Sequence, residues 1–101
     1  MDALIPSEFY LSQNFPNPFK EKTKIKYCLP VKSKVKLSVF NSAGDIVKEV
    51  VNQIQDAGTY EIEFDGKDLS KGEYYCVIIA SDLSSGMKRV FNETKKMILT
   101  K

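Results

Sequence analysis

Apolar residues recur at every second position in this chain, segment after segment, and that period fits strands with one buried face. In Thr23–Leu29, one face carries Ile25, Tyr27 and Leu29 and the other carries Lys24, Lys26 and Cys28. Pro30 ends the segment, because it has no N–H to give to a ladder. Lys34–Phe40 repeats the pattern with Val35, Leu37 and Val39 inward. The turn residues Asn41–Asp45 lead to Ile46–Val51, with Val47 and either Val50 or Val51 inward. Thr59–Phe64 follows Asp56-Ala57-Gly58 and points Tyr60, Ile62 and Phe64 inward until Asp65-Gly66 breaks it. Gly72 opens the most apolar segment, Glu73–Ser81. Parity puts Tyr74, Cys76 and Ile78 on one face and Tyr75, Val77 and Ile79 on the other, so both faces want cover. That marks Tyr74–Ala80 as a central strand or a partner surface, and it leaves strand-mediated dimerisation open. After a loop at Asp82–Gly86 come Met87–Phe91 and Lys96–Thr100, each short and strand-like.

No segment longer than one turn carries an apolar stripe of helical period. About seven strands with turn signals every 8–12 residues predict an all-β antiparallel β-sandwich. The two punctuating residues are segregated: four prolines lie in the first 30 positions and five glycines between 44 and 86. Residues 1–19 therefore read as an extended lead-in and residues 20–101 as the sandwich. Phe9, Tyr10, Phe15 and Phe19 crowd the lead-in, either as a ligand-stacking platform or, more simply, to pin a terminus that would otherwise fray.

Composition excludes several functions. The chain has no His, which removes the commonest general base and metal ligand. No catalysis, metal site or cofactor is expected. Two cysteines are too few for a Cys-based zinc site or a disulfide scaffold. Cys28 and Cys76 should have opposite parity, one outward and one inward, and so remain free thiols. No apolar run approaches the roughly 20 residues of a membrane helix. The N-terminus lacks the basic start and apolar core of a signal peptide, so an exported form would travel as part of something longer. The net charge of +2 gives no support to nucleic-acid binding, but its distribution is uneven. Residues 1–40 carry seven Lys against three acids, 41–86 three Lys against nine acids, and 87–101 five basic residues against one acid. Pairing of the first and last strands would make one basic edge.

Three smaller clusters have ordinary explanations. The comb Lys20, Lys22, Lys24, Lys26, Lys32, Lys34 and Lys36 alternates with apolar residues as a solvated strand face does. Asp65, Asp68 and Glu73 lack the alternating ligands of a calcium loop, and turn chemistry accounts for them. Glu61 and Glu63 share a strand face, with nothing to form the cleft that paired-carboxylate chemistry needs.

One set of motifs is more specific. Leu11-Ser12-Gln13-Asn14-Phe15-Pro16-Asn17-Pro18-Phe19 resembles the L-x-Q-N-[YF]-P-N-P-F opening of the type A C-terminal sorting domains of the type IX (Por) secretion system in Bacteroidetes. The similarity continues through Thr23–Pro30, Val35–Gly44, Gly58–Leu69 and Gly72-Glu73-Tyr74-Tyr75 to the closing Lys95-Lys96-Met97-Ile98-Leu99-Thr100-Lys101. Phe64 stands where the family usually has Trp, and Ser81–Thr94 is longer than usual. The resemblance implies an Ig-like sandwich that takes its host protein through the outer-membrane translocon, by way of the periplasm, to the cell surface or medium. It implies removal by a sortase-like peptidase, with the cut at or before Pro6–Asn17. The residues expected to be read by the translocon are Lys95, Lys96, Met97, Leu99 and Lys101, with Gly58, Gly72 and Tyr74. Asn14, Pro16, Asn17, Pro18 and Phe19 form the linker motif. The physical rationale is a basic closing strand read by edge pairing and charge, without stable membrane insertion. Two other readings are an Ig-like structural or adhesion module, similar to flagellar hook-capping domains, and a carbohydrate-binding module. The first lacks the N-P-N-P-F opening, and the second would want exposed aromatics.

Overall fold

A computed structural model describes residues 6–84 and 89–101. The elements are β1 (Tyr10–Leu11), β2 (Lys22–Leu29), β3 (Ser33–Asn41), β4 (Ile46–Gln55), β5 (Gly58–Asp65), β6 (Gly72–Asp82) and β7 (Val90–Leu99). They form two antiparallel sheets, one ordered β1-β2-β5 and the other β4-β3-β6-β7. This is the expected seven-stranded sandwich. Both sheets contribute to one core, in which Ile25, Tyr27 and Leu29 of β2 face Val35, Leu37 and Val39 of β3 and Cys76, Ile78 and Ala80 of β6. Tyr27 lies stacked on Tyr60 with ring centroids 5.3 Å apart. Its hydroxyl donates to Gln55 Oε1 at 2.6 Å, tying the two sheets together at one end. Burial raises the Tyr27 phenol above its ordinary range, against the opposing pull of the Gln55 bond.

The strands differ from the sequence reading in three places. β4 runs on to Gln55, and both Val50 and Val51 are half-buried. The cause is a bulge: Leu37 faces Val51 and Ser38 faces Glu49, so Val50 has no partner in the ladder and the parity flips there. The last two expected strands are one. β7 pairs with β6 without interruption from Gly72↔Leu99 to Ser81↔Val90. The long apolar β6 supplies ten consecutive partners, so the polar stretch Asn92–Lys95 is held as strand even though its own pattern is weak. Met87 and the end of the Asp82–Gly86 loop lie outside the described residues. Finally, β1 forms in the proline segment, where two paired residues are too few to show a period.

β6 is a central strand, between β3 and β7. Its backbone is laddered on both sides, so the Tyr74–Ala80 segment offers no free backbone edge to a second copy. The first and last long strands do not pair either, because β2 and β7 lie in different sheets. The β2 lysines instead face acids across the β2–β5 ladder, with Lys22 Nζ and Lys24 Nζ each 3.8 Å from Glu63 and Glu61. These exposed pairs contribute little, about 0–1 kcal/mol each. Asp65 Oδ1 accepts Lys67 N–H at 2.9 Å, the local turn bond expected of that acid.

Cys76 is buried and Cys28 half-buried, and both are free. Burial pushes the Cys76 thiol up to about 12. One thiol of the native domain is therefore expected to react with an aromatic disulfide reagent at pH 8, and the second only after denaturant is added. Two equal native rates would contradict this placement.

Candidate recognition surface

β7 is an edge strand, and its closing half is clasped by the proline segment. Ile98 turns both backbone groups away from β6: its N–H donates to Asn17 Oδ1 at 2.9 Å, and its carbonyl accepts Phe19 N–H at 2.8 Å. Thr100 N–H donates to Phe19 O at 2.8 Å, and Gln13 Nε2 donates to Lys96 O at 2.6 Å. Phe19 and Leu99 thus pair as a parallel bridge. Upstream, Phe9 stacks on Phe91 with centroids 5.4 Å apart, and the Arg89 guanidinium lies 5.8 Å from the Phe9 centroid. The lead-in accordingly runs alongside β7 from Phe91 to Thr100. Arg89 also pairs with buried Asp82 at 2.9 Å. Hydrogen bonds from Ser84, and behind them Arg89, hold the Asp82 carboxyl below the usual carboxylate range.

The clasp ends in a socket. Phe19 is buried edge-on against Phe64, with centroids 6.3 Å apart. Gly66 closes the socket, since a Cβ there would stand 3.2 Å from Phe19 Cε2 and 3.3 Å from Leu99 Cδ2. Gly66 N–H donates to Glu21 O at 2.7 Å. Asn14 is buried and donates to Thr23 Oγ1 at 3.0 Å and to Pro16 O at 3.1 Å, fixing the loop through the two prolines. Lys101 Nζ reaches Lys67 O at 2.5 Å. The opening motif, the Asp-Gly turn and the closing strand, far apart in sequence, make one unit.

The expected site residues divide by burial. Met97, Leu99 and Tyr74 are core side chains. A partner docking on the folded domain does not reach these side chains, and Met97 and Leu99 of the closing motif pack into the core. Lys95 shares their inward-facing parity and is half-buried at the rim. Lys96 points to the opposite face, where its Nζ lies 3.5 Å from Glu73 Oε2. Lys96 and Lys101 are the exposed lysines of the closing motif.

Gly58, Gly72 and Tyr74 belong to a repeated device. In Gly58-Thr59-Tyr60 and Gly72-Glu73-Tyr74, each tyrosine hydroxyl donates at 2.6 Å to the carbonyl four residues back, Asp56 and Ser70 respectively. Both glycines take positive φ, 156° and 148°. These are corners that start β5 and β6, like the tyrosine corner of immunoglobulin-type sandwiches. Gly72 sits opposite Leu99, but Gly58 pairs with Leu29 at the far end of its strand. The structure therefore brings Gly72 and Tyr74 to the closing strand and leaves Gly58 away from it. Gln13 and Gly66 are clasp residues that the sequence reading did not single out. Asp-Gly signalled the turn, and nothing local signalled that Gly66 is needed for space.

A family model for the secretion system C-terminal sorting domain matches residues 13–98. The chain belongs to this family. The matched span begins at Gln13 and ends at Ile98, the first and nearly the last residues of the clasp. The two ends of the matched span thus touch one another in this sorting domain. A search of curated proteins finds no match.

Proposed function

We propose that this sorting domain directs a larger protein, joined to its N-terminal side, through the outer-membrane type IX translocon to the cell surface or the medium. It acts by being recognised, not by catalysis, and a sortase-like peptidase then separates the cargo from it. The observation that carries this reading is the family match across the clasped unit, from Gln13 to Ile98. The geometry supports the handling of cargo as well. Chain entering at the lead-in is held from Phe9 onward by the Phe91 stack and the Tyr10↔Cys28 pairing. Tension or cutting upstream of that point leaves the sandwich whole.

A peptidase needs several residues in extended, unpaired form. The cut is therefore placed N-terminal to Phe9, within the stretch at or before Pro6–Asn17. The test fuses a periplasmic reporter ahead of residues 1–101 in a type IX-competent host. The reporter is expected at the surface or in the medium, with N-terminal sequencing of the released domain placing the cut before Phe9. A reporter retained in the periplasm defeats the sorting reading. A cut between Tyr10 and Asn17 defeats only the boundary.

A further inference from the structure

Within residues 14–19 the fold uses the distinctive side chains internally. Asn14 is buried on Thr23, Asn17 accepts Ile98 N–H, and Phe19 fills its socket. Phe15 is the exception, with 80% of its surface exposed. Its backbone is nonetheless fixed, because Phe15 N–H donates to Lys24 O and Phe15 O accepts Lys24 N–H, both at 2.9 Å. The ring stands as a ridge. A groove of about 430 Å³ on one side reaches Tyr10 and Lys26, and one of about 290 Å³ on the other reaches Lys22 and Glu63. Tyr10 is itself 53% exposed. Single exposed apolar residues are common, but an aromatic ring held out on a doubly bonded backbone is pre-organised for contact.

We propose that Phe15 is the anchor by which this face docks on a protein component of the export machinery. The ring enters an apolar pocket whose rim carries a carboxylate for Lys26, which β2 places beside the ring. Lys26 makes no ion pair among the described residues, whereas Lys22 and Lys24 already lie 3.8 Å from Glu63 and Glu61. Lys26 is thus the charge on this face open to a complementary group. A ridge between grooves suits insertion into a partner's pocket, whereas a saccharide needs a concave site or a flat platform. This inference rests on the sorting reading and assigns it a contact.

The test places the full domain behind a reporter in a type IX-competent host. Phe15→Ala is expected to lower export at least about tenfold, the size an anchor ring produces. Phe15→Tyr should retain export, Lys26→Glu should lower it several-fold, and all three should melt close to the parent. Purified domain should also sediment with outer-membrane vesicles of that host, and protease-shaved vesicles should lose it. If Phe15→Ala exports like the parent while removal of the whole domain abolishes export, the anchor is overturned and the sorting reading stands. If removal of the domain leaves export intact, the sorting reading itself falls. Sedimentation that survives shaving identifies a glycan or lipid surface instead and overturns the protein partner.

Discussion

Phe19→Ala is expected to destabilise the domain by about 3–5 kcal/mol, a large share of the roughly 5–15 kcal/mol that holds a typical domain together. Phe19 is fully buried, and its ring contacts Phe64 and lies close to Gly66. Those neighbours are backbone and rigid rings, which collapse poorly into a cavity, so the upper part of the range is the appropriate one. At roughly 4–8 °C per kcal/mol for a domain of this size, the melting midpoint falls by about 12–40 °C. The loss is coupled to the closing strand, because Phe19 also supplies both backbone bonds to Ile98 and Thr100. Phe19→Ala and Leu99→Ala should therefore be less than additive in a double-mutant cycle. Phe15→Ala, four residues away on the same segment, should barely move the melt. Thermal or urea unfolding checks all of this, and a Phe19→Ala loss below about 1 kcal/mol, in the range of ordinary surface substitutions, would show that the clasp does not hold the sandwich.

The strands that face one core with one side were legible because burial imprints a period of two. Ile25, Tyr27 and Leu29, or Val35, Leu37 and Val39, announce themselves and are buried. The period failed where its physical cause was absent. β4 carries bulges, so Val50 breaks parity, and β1 has only two residues. β7 owes its middle to β6, a neighbour that local pattern does not see. Pattern also carries no information about which sheet a strand joins, so two lysine-rich segments suggested one basic edge that topology does not make. The two motifs of the candidate site were visible, but their contact was not. The Asn17–Ile98 bond joins residues 81 apart, and nothing in either segment names the other. The same blindness merged Phe15 with Phe19. Both are aromatic residues beside proline, and only the folded ladder turns one out and the other in.

Deleting Lys95–Lys101 is expected to unfold the domain at 37 °C. The deletion removes Met97 and Leu99, both fully buried, and each such loss costs about 2–5 kcal/mol even when only the side chain is truncated. It also strips the acceptor and donors that seat Asn17 and Phe19. The sum is comparable with the whole stability of a typical domain. Circular dichroism of the truncated chain should show the β signal lost, and a cooperative melt near the parent's would contradict the clasp. Loss of export on this deletion therefore reports folding as much as recognition. Charge reversal separates the two. Lys96 and Lys101 are exposed, and the Lys96–Glu73 contact at 3.5 Å is a surface pair worth at most about 1 kcal/mol. Lys96→Glu with Lys101→Glu should keep the fold, with a melt lowered by only a few degrees. If the translocon reads the basic closing strand, export of this folded variant falls several-fold, and more steeply at low ionic strength, where exposed charges are least screened. Parent-level export from the folded variant would assign the closing motif to packing alone, with Met97 and Leu99 retained to seat Phe19 and the lysines reporting only that an edge strand must stay soluble.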